Sequence, residues 1–389
     1  KYVWIINFSR IQWNTEVTDG KYKKKKDQKN KNLPEENWVW TPQHKINMHI
    51  PDQWGYLIFS DTTVNNPESI IDNQKATLEN KNDKKHWIWM HHHEKSDKEW
   101  ENVFSKLKSH GFHGILYGGH ADALNKIIPI ALAYGLEIHA WMWTLNCNDK
   151  NIVANHPDWY NVNRNGDTSC YKQAYVGYYK WLCPSNPNVT QYLKEKVKNL
   201  CMVKGLEGVH LDYVRYPDVI LPEALQPKYD IVQDKEYPEY DYCYCNHCKS
   251  KFKAQYNIDI DKLKDPTQSN EWKEYRYNSV KKVVESIQTV TVKHNKKLSA
   301  AVFPSPAIAR RIVRQNWDDW PLDLVFPMTY NKFYNADIDW IGDCIKEAKD
   351  STFFPVYGGL YIPDFTSEDL RQAIKLANKK GDGITIFDY

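Results

Sequence analysis

Between residues 86 and 389 the chain alternates short apolar strands with amphipathic helices, and this alternation constrains the fold more than any other feature. HWIWM (86–90) reads as a strand. The helix that follows, SDKEWENVFSKLKSHG, opens on a Ser96/Glu99 capping box and closes at Gly111. FHGILYGG (112–119), a helix through 122–134 ended by Gly135, and LEIHAWMWTL (136–145) come next. A helix over 189–205 leads into the strand of EGVHLDYVRYPD (207–218), and one near 271–294 leads into KLSAAVF (297–303). Helical turns near 306–316 precede LDLVFPMTY (322–330), a helix at 337–349 precedes FFPVYGGLY (353–361), and one at 367–381 precedes GITIFDY (383–389). Eight strands, seven of them followed by helical segments, predict an α/β fold, a (β/α)8 TIM barrel over residues 85–389. A cysteine-containing loop insertion at 218–270 interrupts it. No helix follows the eighth strand.

Residues 1–84 read differently. YVWIINFSRIQW (2–13), NWVWTPQ (37–43) and WGYLIFS (54–60) are aromatic β-type runs, separated by the charged stretch GKYKKKKDQKNKN (20–32) and followed by a polar linker. They predict a small N-terminal β-rich subdomain. The chain begins with Lys, so a leader is expected to have been removed, giving a secreted, periplasmic or outer-membrane-associated protein. No run of about 18 apolar residues suggests a membrane span. A formal charge of +3 excludes a strongly basic nucleic-acid binder while leaving room for a local basic cleft. A monomer is expected.

In a barrel of this kind the reacting groups sit at the C-terminal ends of the strands. Those ends gather His91, His92, His93, His120, His139, Trp141, Trp143, His210, Asp212, Tyr330, Asn331, Tyr361 and Asp388. The pairing of His210 with Asp212 on one face of a buried strand is the sharpest feature, because a buried carboxylate costs several kcal/mol unless it is paired or used. Aromatics form 14% of the chain, enough to supply both a core and stacking platforms for sugar rings. Nucleotide binding has no support, since neither GxGxxG after a strand nor GxxxxGK[ST] occurs, and HExxH is absent too. Glycoside hydrolysis needs two carboxylates. Glu271, at the start of the helix after 270, is favoured as the partner of Asp212, with Glu274 and Asp388 as alternatives.

HAW (139–141), WLCPSNPNV (181–189), GVHLDYVRYPD (208–218) and EYRYNSVKKVVESI resemble the glycosyl-hydrolase-like family ten barrels, bacterial polysaccharide-degrading proteins with an aspartate in the strand-four motif. Within that group the sequence is similar to glycoside hydrolase family 168, endo-1,3-fucanases that cut sulfated fucans by a retaining mechanism. The resemblance implies a secreted endo-acting hydrolase of an α-1,3-linked sulfated fucan, with Asp212 as the catalytic carboxylate. Arg276 stands where the family has Trp-Arg, here preceded by Tyr275. His92, His120, Trp141, Trp143, His210, Arg215, Tyr216, Arg276, Tyr330, Asn331 and Tyr361 are the expected substrate contacts. NFSRIQW, WVWTPQHKINMHIP and WGYLIFS resemble the end of a family nine-like carbohydrate-binding module. Two other readings stay open: a hydrolase of a neutral or amino-sugar polymer, and a non-catalytic polysaccharide-binding protein.

Catalysis is expected to need no cofactor. DYCYCNHCKSKF places Cys243, Cys245 and Cys248 in a CxCxxC run that looks like a zinc knuckle, similar to one that binds zinc in family 42 galactosidases. Three thiolates need a fourth ligand, and Cys147 is the expected one, ahead of His247. A disulfide framework is the competing reading.

Overall fold

A computed structural model describes residues 84–387 in full, together with the backbone of two N-terminal strands, β1 (Val3–Asn7) and β2 (Tyr56–Ser60). The chain divides into two compact units, 1–74 and 75–389. In the first, β1 and β2 pair antiparallel, Val3 opposite Ser60 and Asn7 opposite Tyr56. The segments 8–55 and 61–83, which include NWVWTPQ, the basic stretch and the linker, lie outside the described residues, as does Asp388.

The second unit is an eight-stranded parallel barrel: β3 (Lys85–His91), β4 (Phe112–Gly118), β5 (Glu137–Trp143), β6 (Gly208–Asp212), β7 (Lys297–Val302), β8 (Leu324–Pro327), β9 (Tyr357–Tyr361) and β10 (Gly383–Phe387). The hydrogen-bonded order is β8-β7-β6-β5-β4-β3-β10-β9. Bridges between Val325 and Val356 and between Met328 and Gly359 bring the two ends together. The strand count is the one the sequence predicts.

Seven of the nine helices described run along the outside, each following a strand or its loop: α1 (Asp97–Ser109), α2 (Ala121–Ala133), α4 (Pro187–Cys201), α6 (Asn270–Lys293), α7 (Pro306–Val313), α8 (Asp339–Ser351) and α9 (Ser367–Lys380). Their ends follow local rules. Ser96 and Glu99 form the reciprocal capping box expected for α1, and Gly111 and Gly135 take positive φ of 83° and 65° just beyond α1 and α2. Asn186 caps α4 with Pro187 in its first turn, where a missing N–H costs nothing. The other two helices, α3 (Lys150–Asn155) and α5 (Asn246–Tyr256), lie in the loops after β5 and β6.

Alternate strand residues point inward and close the barrel with large rings. Trp87, Trp89, Leu116, Trp141, Ala301, Leu324, Phe326 and Tyr357 form one buried cluster. Room for these rings is made by glycine on neighbouring strands: a Cβ on Gly208 would meet the His139 ring at 2.7 Å. The core also holds a polar relay. Trp89 Nε1 donates to His210 Nε2 at 2.9 Å, and the Nδ1 atoms of His210 and His139 both lie 3.0 Å from Ser299 Oγ. Burial holds both histidines well below their ordinary range, His139 at about 3, so the relay is neutral and carries no charge into the core.

Candidate active site

Asp212 is the last residue of β6 and stands at the C-terminal mouth of the barrel. Its carboxylate accepts hydrogen bonds on both oxygens: from Trp141 Nε1 to Oδ2 at 3.0 Å, and from the Tyr213 backbone N–H to Oδ1 at 2.6 Å. Trp141 reaches it because β5 and β6 run in register, Trp141 beside His210 and Trp143 beside Asp212. Loss of water around the carboxyl dominates its titration and pushes it up to about 6, against the pull of the two N–H donors and of Arg215. A carboxyl tuned to that range changes protonation state near neutral pH, which is the property general acid–base chemistry uses.

Tyr213 follows with φ of +49°, a left-handed backbone that an aromatic L-residue adopts only where its surroundings hold it. Its ring packs against Trp143 at 4.7 Å between centroids. Trp143 and Tyr178, 5.9 Å apart, are 37% and 46% exposed, so this side of the mouth presents open aromatic faces. On the opposite side Tyr330, Tyr361 and Phe387 pack together, with ring centroids 5.4–6.2 Å apart. Burial pushes the Tyr330 phenol well up, and Asp212, Tyr361 and Asp364 add to the effect, so both carboxylates act on one hydroxyl.

An aromatic mouth thus surrounds one desolvated carboxylate on an eight-stranded parallel barrel. The family described as Glycosyl hydrolase-like 10 matches residues 87–349. The chain belongs to that family. Among solved structures, the chain is similar to the PgaB (BpsB) glycoside hydrolase domain from Bordetella bronchiseptica. That match has 10% identity, 78% of this chain and 93% of that chain covered, and a TM-score of 0.59. It is similar also to a β-galactosidase from the Antarctic haloarchaeon Halorubrum lacusprofundi (11% identity, 78% and 52% covered, TM-score 0.56). The catalytic domain of β-amylase from Paenibacillus polymyxa is a third (11% identity, 79% and 93% covered, TM-score 0.52). Similarities at this level of identity concern the fold. No curated protein matches the sequence.

Within this glycosyl hydrolase-like 10 barrel the expected contact residues divide. His92, His120, Trp141, Trp143, Tyr330 and Tyr361 lie at the mouth. His92 bonds the Tyr117 hydroxyl at 2.7 Å and its ring is 5.4 Å from His120. Five others are buried among neighbours inside the protein. His210 belongs to the core relay. Asn331 donates to the Ala336 and Asp337 carbonyls and shapes its own loop. Tyr216 is fully buried. Arg276, fully buried, is engaged by Asp241 and the Tyr242 carbonyl. Arg215, 6% exposed, pairs with Asp218 at 3.0 Å and lies over the rings of Trp181 and Phe303 at 4.8 Å. Each guanidinium satisfies an internal carboxylate, because a charge enclosed by protein must be paired.

Glu271 is not brought to Asp212. It is an exposed residue of the first turn of α6; its own backbone N–H and the Ser269 hydroxyl hold its carboxyl below the usual range, and it acts on Tyr256. That is a helix-end carboxylate favoured by the dipole. Sequence reasoning missed Asp364. It ends the short turn Ile362–Asp364 directly after β9, with Oδ2 buried and making no hydrogen bond; burial raises its carboxyl while Lys332 draws it down. Its position three residues past the strand-end Tyr361 was the available signal.

The cysteine site also differs from expectation. The sulfurs of Cys183, Cys243, Cys245 and Cys248 lie within 4.8 Å of one another, with Cys183 at 3.6 Å from Cys245 and 3.5 Å from Cys248. Cys147 is elsewhere, 3.9 Å from the Tyr192 hydroxyl. None of the eight cysteines is joined to another by a disulfide. A tetrahedral ZnS4 centre with bonds of about 2.3 Å has sulfurs about 3.8 Å apart, and the observed spacing fits.

Proposed function

We propose that the chain is an endo-acting glycoside hydrolase of a polysaccharide, with Asp212 as its nucleophilic carboxylate. The observation that carries this reading is the desolvated Asp212 held by Trp141 and Tyr213 at an open aromatic mouth. Above about pH 6 the carboxylate is ionised and aimed by its two N–H donors, as attack on an anomeric carbon requires. Trp143 and Tyr178 offer faces on which a sugar's C–H surface stacks. Asp364 supplies the second carboxylate in this reading, ahead of Glu271, because its unbonded buried oxygen favours the protonated form that a general acid needs.

For the substrate, the family resemblance supports an α-1,3-linked sulfated fucan, whose sulfates would meet Lys332, His92 and His120. A neutral polymer is the second reading, favoured by one observation: Arg215 and Arg276 are spent on internal ion pairs, and burial holds His91 and His93 below their ordinary range. The deciding measurement is KM for a sulfated fucan and its chemically desulfated form over a salt series. Fixed charge contacts at the mouth give a KM that rises with salt, since exposed attraction is screened within about 8 Å at physiological ionic strength. Equal cleavage of both forms without a salt effect selects the neutral polymer. Absence of cleavage of any polymer by the wild type rejects the hydrolase reading.

The cysteine cluster we assign to a structural zinc ion held by Cys183, Cys243, Cys245 and Cys248. Four thiolates close the coordination shell and leave no open position, so the ion takes no part in the chemistry at Asp212. Elemental analysis of protein purified without added metal should find one zinc per chain. Protein that is folded, metal-free and indifferent to added zinc rejects the assignment.

A further inference from the structure

The sulfur cluster and the Asp212 loop are joined by three separate connections. The first is the loop itself. Four residues after Asp212, Tyr216 is fully buried with its hydroxyl making no hydrogen bond, and that hydroxyl lies within electrostatic reach of Cys183, Cys243 and Cys248. The second is the segment 181–183. The Trp181 ring packs 5.6 Å from Tyr213 and 4.8 Å from the Arg215 guanidinium, and two residues on, Cys183 enters the cluster. The third is backbone. Leu145 N–H donates to the Tyr213 carbonyl at 3.1 Å, and Leu182 N–H donates to the Leu145 carbonyl at 2.8 Å. A continuous hydrogen-bonded path therefore runs from Tyr213 to the neighbour of Cys183.

These connections end on the residue that most needs support. Tyr213 holds a left-handed backbone, a conformation that costs on the order of 1–3 kcal/mol and persists only where neighbours fix it. The same residue gives Asp212 its N–H hydrogen bond, so any relaxation of Tyr213 withdraws a donor from the carboxylate. Four thiols without a metal hold one another weakly, because S–H is a poor donor, whereas four thiolates on one ion are fixed in angle and distance.

We propose that the zinc-bound cluster is a positioning device for the catalytic loop: by fixing Cys183 and the ring of Tyr216, it holds Tyr213 and Arg215 in the arrangement that sets Asp212. This rests on the zinc and hydrolase readings above. Cys183, Trp181 and Tyr216 are positioning residues, and all three are fully buried.

The test uses a readout that needs no substrate. Trp141 donates to the Asp212 carboxylate, so its ultraviolet absorbance follows the protonation of Asp212; subtracting the signal of Asp212→Asn isolates it from the other tryptophans. Three preparations are compared with the wild type: chelator-treated protein, Cys183→Ser, and Tyr216→Leu, which leaves all four sulfurs in place. Zinc is measured in each. The expected result is loss of zinc in the first two and its retention in Tyr216→Leu, with the Trp141-reported midpoint moved by about one pH unit in all three. Zinc returned to the chelated wild type restores the midpoint. Where a cleavable polymer is in hand, kcat falls by about tenfold with KM little changed, as expected for misaligned chemistry with intact binding. An unmoved midpoint after zinc loss, or in Tyr216→Leu, overturns the proposal. A wild type that cuts no polymer rejects the hydrolase reading and leaves the midpoint measurement standing.

Discussion

The Trp141 indole N–H and the Asp212 carboxylate lie 3.0 Å apart across two adjacent parallel strands, so β5 and β6 are tied together by side chains at the mouth as well as by their backbones. Trp141 takes Oδ2 and the Tyr213 backbone N–H takes Oδ1, so both carboxyl oxygens are held. This also explains how a carboxyl surrounded by protein remains ionisable near neutral pH: two N–H donors offset part of the desolvation.

Asp212→Asn is expected to remove turnover while leaving the fold intact. In the wild type, activity should fall on the acid side with a midpoint near 6, because the nucleophile must be ionised. A profile that instead falls as pH rises through 6 would assign Asp212 the acid role. The check is kcat/KM from pH 4 to 9.

The same carboxyl carries a stability signature. A folded-state value near 6, above the 3.8 of the free side chain, means that Asp212 binds its proton more tightly in the folded chain. The stability this contributes is fully present below about pH 3.8 and is lost as pH rises through 6. Asp212→Asn has no such titration. Relative to the wild type it should gain roughly 3 kcal/mol between those limits, from a shift of about two units at 1.36 kcal/mol each. Urea unfolding of both proteins across that window measures it, and a difference independent of pH contradicts the raised value.

Arg276 distinguishes a buried structural pair from a substrate contact. Arg276→Leu leaves Asp241 enclosed without its partner and should cost about 3–5 kcal/mol of stability. In the fraction that remains folded, KM should stay within about twofold. A large rise in KM with stability unchanged would return Arg276 to the binding site.

Trp143→Ala and Tyr178→Ala should each raise KM for long oligosaccharides by roughly 3- to 10-fold, the worth of one aromatic contact, with smaller effects on kcat. The pair is expected to be less than additive, since the rings pack on one another. Unchanged KM in both variants removes this face from the binding surface.

Asp364→Asn should lower kcat by about 10²- to 10⁴-fold, the range for loss of a general acid, whereas Glu271→Gln should leave it within about twofold. The reverse pattern would restore Glu271 and dismiss Asp364.

Much of this was written locally in the chain. Strand and helix order, the capping box at Ser96 and the helix-ending glycines follow from short-range periodicity and backbone preference, so the barrel was legible from residues 86–389. The place of Asp212 at a strand end was legible too, because a charged residue in an apolar strand stands out against its neighbours. What only the tertiary structure decided is which side chains face one another across the barrel. Arg215 and Arg276 carry the same charge on paper as any mouth residue, yet Asp218 and Asp241 capture them inside. Cys183 lies 60 residues before Cys243, and no spacing rule connects them; the loop after β5 and the insertion after β6 meet only because their strands are neighbours. Asp364 was placed the same way, in the turn just after β9 with a buried oxygen that finds no donor. Local sequence sets the elements through interactions a few residues long, whereas pairing a buried charge or closing a sulfur cluster depends on distances that exist only once the barrel has closed.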